Sequence, residues 1–168
     1  MPIRVLHVDD EPADLEITRI LLKREAKDDF DFDFVSVLSA EDALEKLETE
    51  YFDAIVSDYK MPGMDGLEFL EAVRNDGRYD DTPFILFTGV GGPEVAKEAL
   101  EKGAERYVTK RGNPSTQCNA LAQAIYELAL EKRKRKRKKK EKEESEEMTS
   151  LEGNEIMPLL SVNKRSRN

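Results

Sequence analysis

Residues 54–66 read Ala-Ile-Val-Ser-Asp-Tyr-Lys-Met-Pro-Gly-Met-Asp-Gly, and this stretch decides the fold. Its first three residues, Ala54–Val56, are typical of a strand that is buried on both faces of a sheet. Asp58 lies where this run stops, and a proline and two glycines then force a loop before the next helical pattern. An acid at the carboxyl end of a buried strand stands where open α/β sheets bind their ligands. Taken alone, such an Asp is more often a turn former or a helix cap.

The first 130 residues alternate between strand patterns and helix patterns. Apolar runs or alternation predict strands over residues 3–8, 30–37, 54–57, 84–87 and 107–108. Apolar spacing and capping residues predict helices from Ala13 to about Ala26, from Ser39 across Leu47, from Leu67 to Asn75, from Gly91 to Gly103, and from Pro114 across Ala129. In the fourth helix, the residues expected to face inward are Val95, Ala96, Ala99 and Leu100. Five strands alternating with five helices predict an α/β fold, a doubly wound parallel sheet with helices on both faces.

Composition limits the classes of protein to which the chain can belong. Residues 1–130 carry 14 Lys and Arg against 28 Asp and Glu, a net charge of −14, whereas residues 131–168 carry 13 against 8, a net charge of +5. This contrast predicts a folded domain over 1–130 and a tail of different character over 131–168. The single Cys118 excludes an internal disulfide and fits a reducing compartment. The short, interrupted apolar run near the N-terminus predicts neither a signal peptide nor a membrane span, so we expect a cytoplasmic protein.

Three acids follow two of the predicted strands: Asp9 and Asp10 come after the first, and Asp58 comes after the third. In a doubly wound sheet with strand order 2-1-3-4-5, those two strands are neighbours, and the order reverses between them. We therefore expect the three carboxylates to converge. Like charges this close raise at least one pKa unless a cation lies among them. A hard divalent cation such as Mg²⁺ is the simplest solution, because it takes one or two carboxylates together with phosphate oxygens.

A hydroxyl group and an ammonium group are predicted at the same edge of the sheet. Thr88 ends the fourth strand, and Lys110 ends the fifth. Both would suit a phosphoryl group carried by Asp58, since Lys110 and Mg²⁺ would neutralise its oxygens and Thr88 would donate a hydrogen bond. Asp58 would then be the nucleophile and form an aspartyl-phosphate. Taken alone, each of these residues has an ordinary explanation as a helix cap, a strand end or a surface lysine. Because they follow four strands and all fall on one edge of the sheet, a functional role is favoured.

These motifs make the chain similar to response-regulator receiver domains. The resemblance covers about residues 2–130 and depends on Val8-Asp9-Asp10-Glu11-Pro12, Asp58-Tyr59-Lys60-Met61-Pro62-Gly63-Met64-Asp65-Gly66, Thr88-Gly89 and Tyr107-Val108-Thr109-Lys110, which match the family's motifs in order and spacing. It implies a flavodoxin-like sheet of five strands. It also implies a signalling switch rather than a classical enzyme, one that catalyses its own phosphorylation and dephosphorylation.

The resemblance further implies a ligand set and a partner. Asp58 would accept phosphate from a partner histidine kinase. Mg²⁺ would be bound directly by Asp10, by Asp58 and by the backbone carbonyl of Lys60. Asp9 would act on the ion through a water molecule.

The resemblance also implies a conformational switch. Thr88 and Tyr107 would move inward when phosphate arrives. This movement would reshape the surface formed by helix four, strand five and helix five, through which the family usually dimerises or binds partners. One departure affects the neighbouring loop: the family usually has proline after the switch lysine, whereas Lys110 is followed here by Arg111, and Pro114 comes only three residues later. The geometry of the Lys110 loop is therefore not predicted.

The tail is charged and of low complexity. Lys132–Lys140 is an unbroken basic run, and residues 141–147 are mostly acidic. Because no apolar stripe is present, we expect the last helix to extend outward, to be interrupted at Gly153 and Pro158, and to leave residues 148–168 disordered or loosely attached. The basic run leaves three interpretations open: a solvated extension, a patch for nucleic acid or an anionic surface, or a connection to a further output domain.

Three other functions are open to the same fold. A flavin or nucleotide carrier needs a Gly/Ser/Thr loop after the first strand, where Asp9-Asp10-Glu11 would repel a phosphate. A hydrolase of the aspartyl-phosphate type needs Asp-x-Asp at that place, a spacing that this chain lacks. A scaffold that binds nucleic acid through Lys132–Lys140 is compatible with a receiver and would supply its output. The favoured function is a stand-alone phosphoacceptor switch without a DNA-binding output domain.

Overall fold

A computed structural model of the chain describes residues 1–25 and 31–165, with the backbone alone for 154–165. Within this part of the chain, strands and helices alternate as predicted. In order, the elements are β1 (Ile3–Val8), α1 (Pro12–Arg24), β2 (Phe32–Val37), α2 (Ala40–Thr49), β3 (Ala54–Ser57), α3 (Gly66–Arg74), β4 (Phe84–Thr88), α4 (Gly92–Glu101), β5 (Arg106–Thr109) and α5 (Pro114–Arg165). The predicted helix end at Ala26 and the predicted strand start at Phe30 lie outside the described residues.

The described strands form one parallel sheet in the order β2-β1-β3-β4-β5, which confirms the predicted topology. The register pairs Val8 with Ser57 across β1 and β3, and Thr88 with Thr109 across β4 and β5. Since all the strands run in the same direction, their carboxyl ends share one edge of the sheet. The residues that follow β1, β3, β4 and β5 are therefore brought to the same side of the molecule.

Helices cover both faces of the sheet. Leu22 of α1 and Leu121 of α5 belong to the core on one face, whereas Leu47 of α2, Leu70 of α3 and Ala99 of α4 belong to the core on the other. Every residue of β3 and β4 is buried, as is typical of strands covered on both sides. The edge strand β2 is less buried: Phe32 and Val37 are buried, whereas the four residues between them are half-buried or exposed, without the strict alternation that its sequence predicts.

Helix α4 differs from its prediction at one position. Ala99 is buried and Val95 and Ala96 are half-buried, but Leu100 is 51% exposed. Consecutive residues of an α-helix are rotated by about 100°, so a helix that centres Ala99 on the core turns Leu100 toward solvent. The prediction that Leu100 faces inward is wrong for this reason.

The loop after Asp58 depends on one glycine. A Cβ atom on Gly66 would lie 2.2 Å from the carbonyl oxygen of Asp58, so no side chain fits there. The Gly66 N–H donates a hydrogen bond of 2.8 Å to the Tyr59 carbonyl. Asp65 and Glu68 form a capping box at the start of α3. The start of this helix is thus fixed directly against the backbone of Asp58.

The chain divides into two compact units, Met1–Lys132 and Arg133–Asn168. In the second unit the described residues continue as a helix to Arg165, through Gly153 and Pro158, where an interruption was expected. Residues 166–168 lie outside the described residues. In the part of the chain that the structure describes, no helix has a stretch both long enough and apolar enough to cross a membrane.

The composition of residues 131–147 accounts for the helical structure of that part of the tail. Lys, Arg and Glu are strong helix formers. Ion pairs one turn apart add support, because Arg137 lies 3.9 Å from Glu141, and Lys142 lies 3.9 Å from Glu146. The structure describes helix over residues 148–165, and the expectation that 148–168 is disordered or loosely attached stays a prediction. The division into a receiver ending at residue 130 and a separate tail stays a prediction.

Lys132 belongs to the packed part of the first unit, although it opens the basic run of the sequence. It is 5% exposed. Its Nζ lies 3.4 Å from the Phe52 carbonyl oxygen, 3.7 Å from a carboxylate oxygen of Asp81 and 4.6 Å from the centre of the Tyr51 ring. Carbonyl, carboxylate and ring all stabilise an ammonium group. Lys132 is therefore not part of an exposed basic patch, and the fully exposed run of the predicted patch Lys132–Lys140 begins at Lys134.

Replacing Lys132 by Ala should lower the free energy of unfolding by about 1–2 kcal/mol, because two oxygens lose a partner and the aliphatic stem leaves a gap. Urea denaturation followed by circular dichroism measures this loss. Lys134→Ala is the matched control, since Lys134 is exposed on the same helix and should change nothing measurable. Equal stability of the two variants would contradict the assignment of Lys132 to the packed unit.

Candidate functional site

Three carboxylates meet at the carboxyl edge of the sheet. Asp9 and Asp10 follow β1, Asp58 follows β3, and one oxygen of each lies within 4.8 Å of the others. The segments are tied together because the Asp58 N–H donates a hydrogen bond of 2.9 Å to the Val8 carbonyl. Asp9 is 1% exposed, whereas Asp10 and Asp58 are half-buried. The structure thus brings these three predicted residues together.

One ammonium group lies among these acids. Lys110 Nζ is 2.5 Å from Asp9 Oδ2, 3.3 Å from Asp14 Oδ2 and 3.4 Å from Asp58 Oδ2. The backbone places it, since the Lys110 N–H donates to the Thr88 carbonyl at the end of β4. Burial lowers the pKa of Lys110, but its hydrogen bond to Asp9 and the nearby carboxylates outweigh burial and raise the pKa above its ordinary value. Lys110 is therefore a fixed positive charge.

Even with this ammonium, the pocket has too little positive charge. Burial raises the pKa of Asp9 above its ordinary value, although Lys110 and the Glu11 N–H act against that rise. The charge of Asp58 adds to it. Carboxylate oxygens are the hard ligands that Mg²⁺ prefers in proteins. The donor set of Asp9, Asp10 and Asp58 thus has the chemistry that the predicted ion requires.

Asp14 is a member of this pocket that sequence reasoning missed. It lies in the first turn of α1 and shares the Lys110 ammonium with Asp9. An acid in the first turn of a helix is ordinary, because it suits the helix dipole, so the residue did not stand out. Its spacing held a usable signal, since Asp14 lies about one helical turn beyond Asp10 and so above the same edge of the sheet.

Thr88 and Tyr107 lie on neighbouring strands beside the pocket. Thr88 is buried at the end of β4, where its hydroxyl oxygen accepts a hydrogen bond of 3.3 Å from the Val90 N–H. Its own O–H therefore remains able to donate. Tyr107 is half-buried on β5 and borders a cavity of about 230 Å³ next to the start of α4. In the register of these strands Tyr107 pairs with Leu86 and Thr88 pairs with Thr109, and the role of Thr88 and Tyr107 as a switch stays a prediction.

Lys60 lies in the loop two residues after Asp58. Its side chain is exposed, with Nζ 4.9 Å from the centre of the Tyr59 ring. The Tyr59 N–H donates a hydrogen bond of 2.7 Å to Asp58 Oδ1, which orients the carboxylate. Metal binding by the Lys60 carbonyl stays a prediction.

Side-chain hydrogen bonds hold the loop after Lys110 in place of the family's usual proline. Arg111 Nε donates a hydrogen bond of 3.0 Å to the Gly89 carbonyl, and the Arg111 N–H donates one of 3.1 Å to the Thr109 hydroxyl. The side-chain amide of Gln117 donates one of 2.7 Å to the Arg111 carbonyl. Every peptide bond among the described residues is trans. The departure from the family pattern therefore leaves Lys110 within reach of the acids.

His7 has a structural role. It is buried on β1, and its Nδ1 is the one buried side-chain nitrogen or oxygen atom without a hydrogen-bond partner among the described residues. Burial, assisted by the charge of Lys110, lowers the pKa of His7 to about 3. A neutral, buried imidazole cannot meet a phosphodonor in solvent, which agrees with the sequence-based view that His7 is not a phosphorelay residue.

Comparison with known proteins agrees with this geometry. The family model of the response regulator receiver domain matches residues 5–122. The chemotaxis protein CheY homolog of Campylobacter jejuni is 32% identical over 116 residues, which cover 67% of this chain and 84% of that protein. The chemotaxis response regulator CheY4 of Vibrio cholerae superposes with a TM-score of 0.60 at 31% identity, and the match covers 74% of this chain and 99% of that one.

A longer relative matches over a shorter region. The response regulator protein FleR of Pseudomonas aeruginosa is 44% identical over 78 residues, which are 46% of this chain and 16% of FleR. The chain thus corresponds to a small part of that protein. The parallel sheet with its pocket of acids and one lysine defines the class, a signalling domain of two-component systems. The chain belongs to the response regulator receiver family, as its sequence motifs predicted.

Replacing Lys110 by Met should destabilise the fold, because the buried Asp9 loses its cation. We expect the free energy of unfolding to fall by about 2 kcal/mol, less than for a fully enclosed pair since the Lys110 side chain is 18% exposed. The double variant Asp9→Asn/Lys110→Met should recover part of this loss, because the uncharged amide at position 9 does not need a cation when it is buried. Chemical denaturation without divalent ions compares the two. A double variant that is no more stable than Lys110→Met would argue against this electrostatic account.

Proposed function

We propose that the chain is a phosphoacceptor switch in which Asp58 takes a phosphoryl group from a histidine kinase. The observation that carries this proposal is the distance of 3.4 Å between Lys110 Nζ and Asp58 Oδ2, within a cluster that also holds Asp9 and Asp10. A carboxylate beside a fixed cation can act as a nucleophile, because the cation offsets part of the charge on the phosphorylated product. Asp58 is also half-buried rather than enclosed, so a donor on another protein can reach it.

In the proposed step, an Asp58 carboxylate oxygen bonds to phosphorus as the N–P bond of a phosphohistidine breaks, and the departing imidazole keeps the electron pair of that bond and takes up a proton. The Lys110 ammonium would contact one phosphoryl oxygen, and the free O–H of Thr88 would donate to another. Mg²⁺ would be held by Asp10, by Asp58 and by the Lys60 carbonyl, with Asp9 acting through water, and would supply further charge neutralisation. Later attack of water on the phosphorus would return Asp58 to its free form, which is the self-catalysed cycle of a switch.

The output would pass through Thr88 and Tyr107. A phosphoryl group that accepts a hydrogen bond from Thr88 favours conformations in which Thr88 lies closer to Asp58. Tyr107 would then occupy the space next to it and change the surface of α4, β5 and α5. This surface is the proposed site for a homodimer or another protein partner. A cytoplasmic location stays a prediction.

The proposal predicts that Asp58→Asn abolishes phosphorylation. Incubation with acetyl phosphate and MgCl₂, followed by intact-protein mass spectrometry, should reveal one added phosphoryl group on the wild type and none on the variant. Chelation of Mg²⁺ should prevent the gain. Asp65→Asn is a matched control, because Asp65 lies in the same loop but caps α3 instead of facing Lys110. An equal mass gain in Asp58→Asn would rule the proposal out.

The tail suggests a second, compatible function. Residues Lys134–Lys140 are all exposed and form a run of seven consecutive cations that phosphate groups can reach from solvent. The acids of residues 141–147 follow within about 10 Å along the helix and would repel the same polyanion. We propose that any contact of this tail with nucleic acid is weak and independent of sequence. In this proposal the chain is a receiver whose charged tail makes at most a weak, non-specific contact with nucleic acid.

Fluorescence anisotropy with an arbitrary DNA duplex tests this second function. We expect dissociation constants in the range of about 10⁻⁴–10⁻⁶ M that weaken steeply with salt. Replacing Lys134–Lys140 by Gln should remove binding and leave phosphorylation of Asp58 unchanged. Binding that survives this replacement, or that does not respond to salt, would exclude the tail as the contact.

A further inference from the structure

We infer that Arg111 is a positioning residue that holds Thr88 and Lys110 in place on either side of the phosphoacceptor. The inference rests on the proposed function, because it concerns how fast Asp58 is phosphorylated. It depends on a contact that a proline at this position would not make, since proline has neither an N–H nor a side-chain donor.

The loop that follows Thr88 needs an external constraint. Its next four residues, 89–92, contain three glycines. Gly91 and Gly92 have φ angles of 106° and 59°, in the left-handed region that glycine adopts readily. Glycine loses more conformational freedom on ordering than any other residue. Val90 adds little packing because it is exposed. The segment that carries Thr88 is therefore costly to fix in one conformation.

Arg111 supplies this constraint from the neighbouring loop. The Lys110 N–H donates to the Thr88 carbonyl over 2.9 Å, and Arg111 Nε donates to the Gly89 carbonyl over 3.0 Å, so the guanidinium adds one further hydrogen bond beyond the pairing of β4 and β5. The two loops touch at this point, since a Cβ atom on Gly89 would lie 3.7 Å from Lys110 Cβ. Gln117 of α5 in turn holds the Arg111 carbonyl over 2.7 Å. A continuous set of hydrogen bonds thus runs from α5 to the loop of Thr88.

The consequence for the reaction is geometric. Lys110 and Thr88 must both meet oxygens of the same phosphoryl group, and a displacement of about 1 Å in such a site can cost up to about 10²-fold in rate. The Arg111 guanidinium keeps Gly89 against Lys110 and so limits the displacement of both groups. Arg111 itself touches neither Asp58 nor the reacting atoms in this arrangement.

The charge of Arg111 gives it an alternative role, the attraction of the phosphodonor. Arg111 is exposed and positively charged, so it would also attract an anionic phosphodonor through long-range electrostatics. Two substitutions separate the roles. In Arg111→Gln, the side-chain amide nitrogen occupies the same place along the chain as Arg Nε, so the donor remains and the charge is lost. In Arg111→Lys the charge remains, but a methylene group replaces the donor at that place.

Phosphorylation by acetyl phosphate with MgCl₂ tests the inference on the full chain. The rate at saturating donor and the KM for the donor are measured for wild type, Arg111→Gln and Arg111→Lys. If Arg111 acts by position, Arg111→Gln should keep the saturating rate within about twofold, and Arg111→Lys should lose about tenfold of it, with KM little changed. Gln117→Met, which removes the second hydrogen bond without touching a charge, should slow the reaction in the same direction. Thermal melting curves verify that all variants are folded.

Each other outcome has a distinct meaning. If Arg111→Lys keeps the wild-type rate while Arg111→Gln raises KM in a salt-dependent way, Arg111 attracts the donor and the inference is overturned. Equal rates and KM values in all the variants overturn it as well. If the wild type gains no phosphoryl group, or if Asp58→Asn gains it equally, the proposed function fails and the inference fails with it. The wild-type and Asp58→Asn arms therefore distinguish a failure of the switch from a failure of the Arg111 contact.

Discussion

The rest of the site depends on one ammonium group, that of Lys110, which three carboxylates share while a fourth, Asp10, lies close by. Two like charges 4 Å apart repel by about 4 kcal/mol at an effective dielectric constant of about 20, which is a large part of the stability of a small domain. Lys110 offsets this repulsion only in part, because it brings one positive charge to a cluster of four acids. The pocket is therefore left short of positive charge. An anionic phosphoryl group can be accommodated only with added positive charge, which is why the proposed reaction requires Mg²⁺.

The parallel sheet brings the carboxylates and Lys110 close together, and this proximity can be predicted from the sequence. Parallel strands share a carboxyl edge, so residues far apart in the chain meet there: Lys110 and Asp9 are separated by 101 positions and form an ion pair. The strand ends could be recognised because β3 and β4 are continuous apolar runs that stop at polar residues and turn formers. The same logic accounts for Asp10, Asp58 and Thr88. Strand order, however, came from the general rule for doubly wound sheets rather than from any one residue.

What the sequence could not predict depends on side-chain direction and tertiary contact. Arg111 reaches Gly89 only because the two loops have a particular geometry, and no local pattern encodes that geometry. Lys132 is identical in type to the cations that follow it, and only the Tyr51 ring and the oxygens around it set it apart. The prediction for Leu100 is wrong because an apolar residue next to a buried one does not share its face, and the helix turns Leu100 toward solvent. In each case the sequence identifies the type of residue but not the groups that surround it in the fold.

A switch needs a rigid part and a soft part, and in this chain the border between them falls at Thr88. Every residue of β4 is buried up to and including Thr88, whereas the glycine-rich residues 89–92 are held mainly by a few hydrogen bonds. Local opening costs least where buried apolar contacts are few. A modest interaction energy between Thr88 and a phosphoryl group can therefore move this loop without unpacking the strand. In the proposed switch, Arg111 links the loop to Lys110, so the two groups that are expected to contact the phosphoryl oxygens would respond together and shift the population of this edge of the sheet.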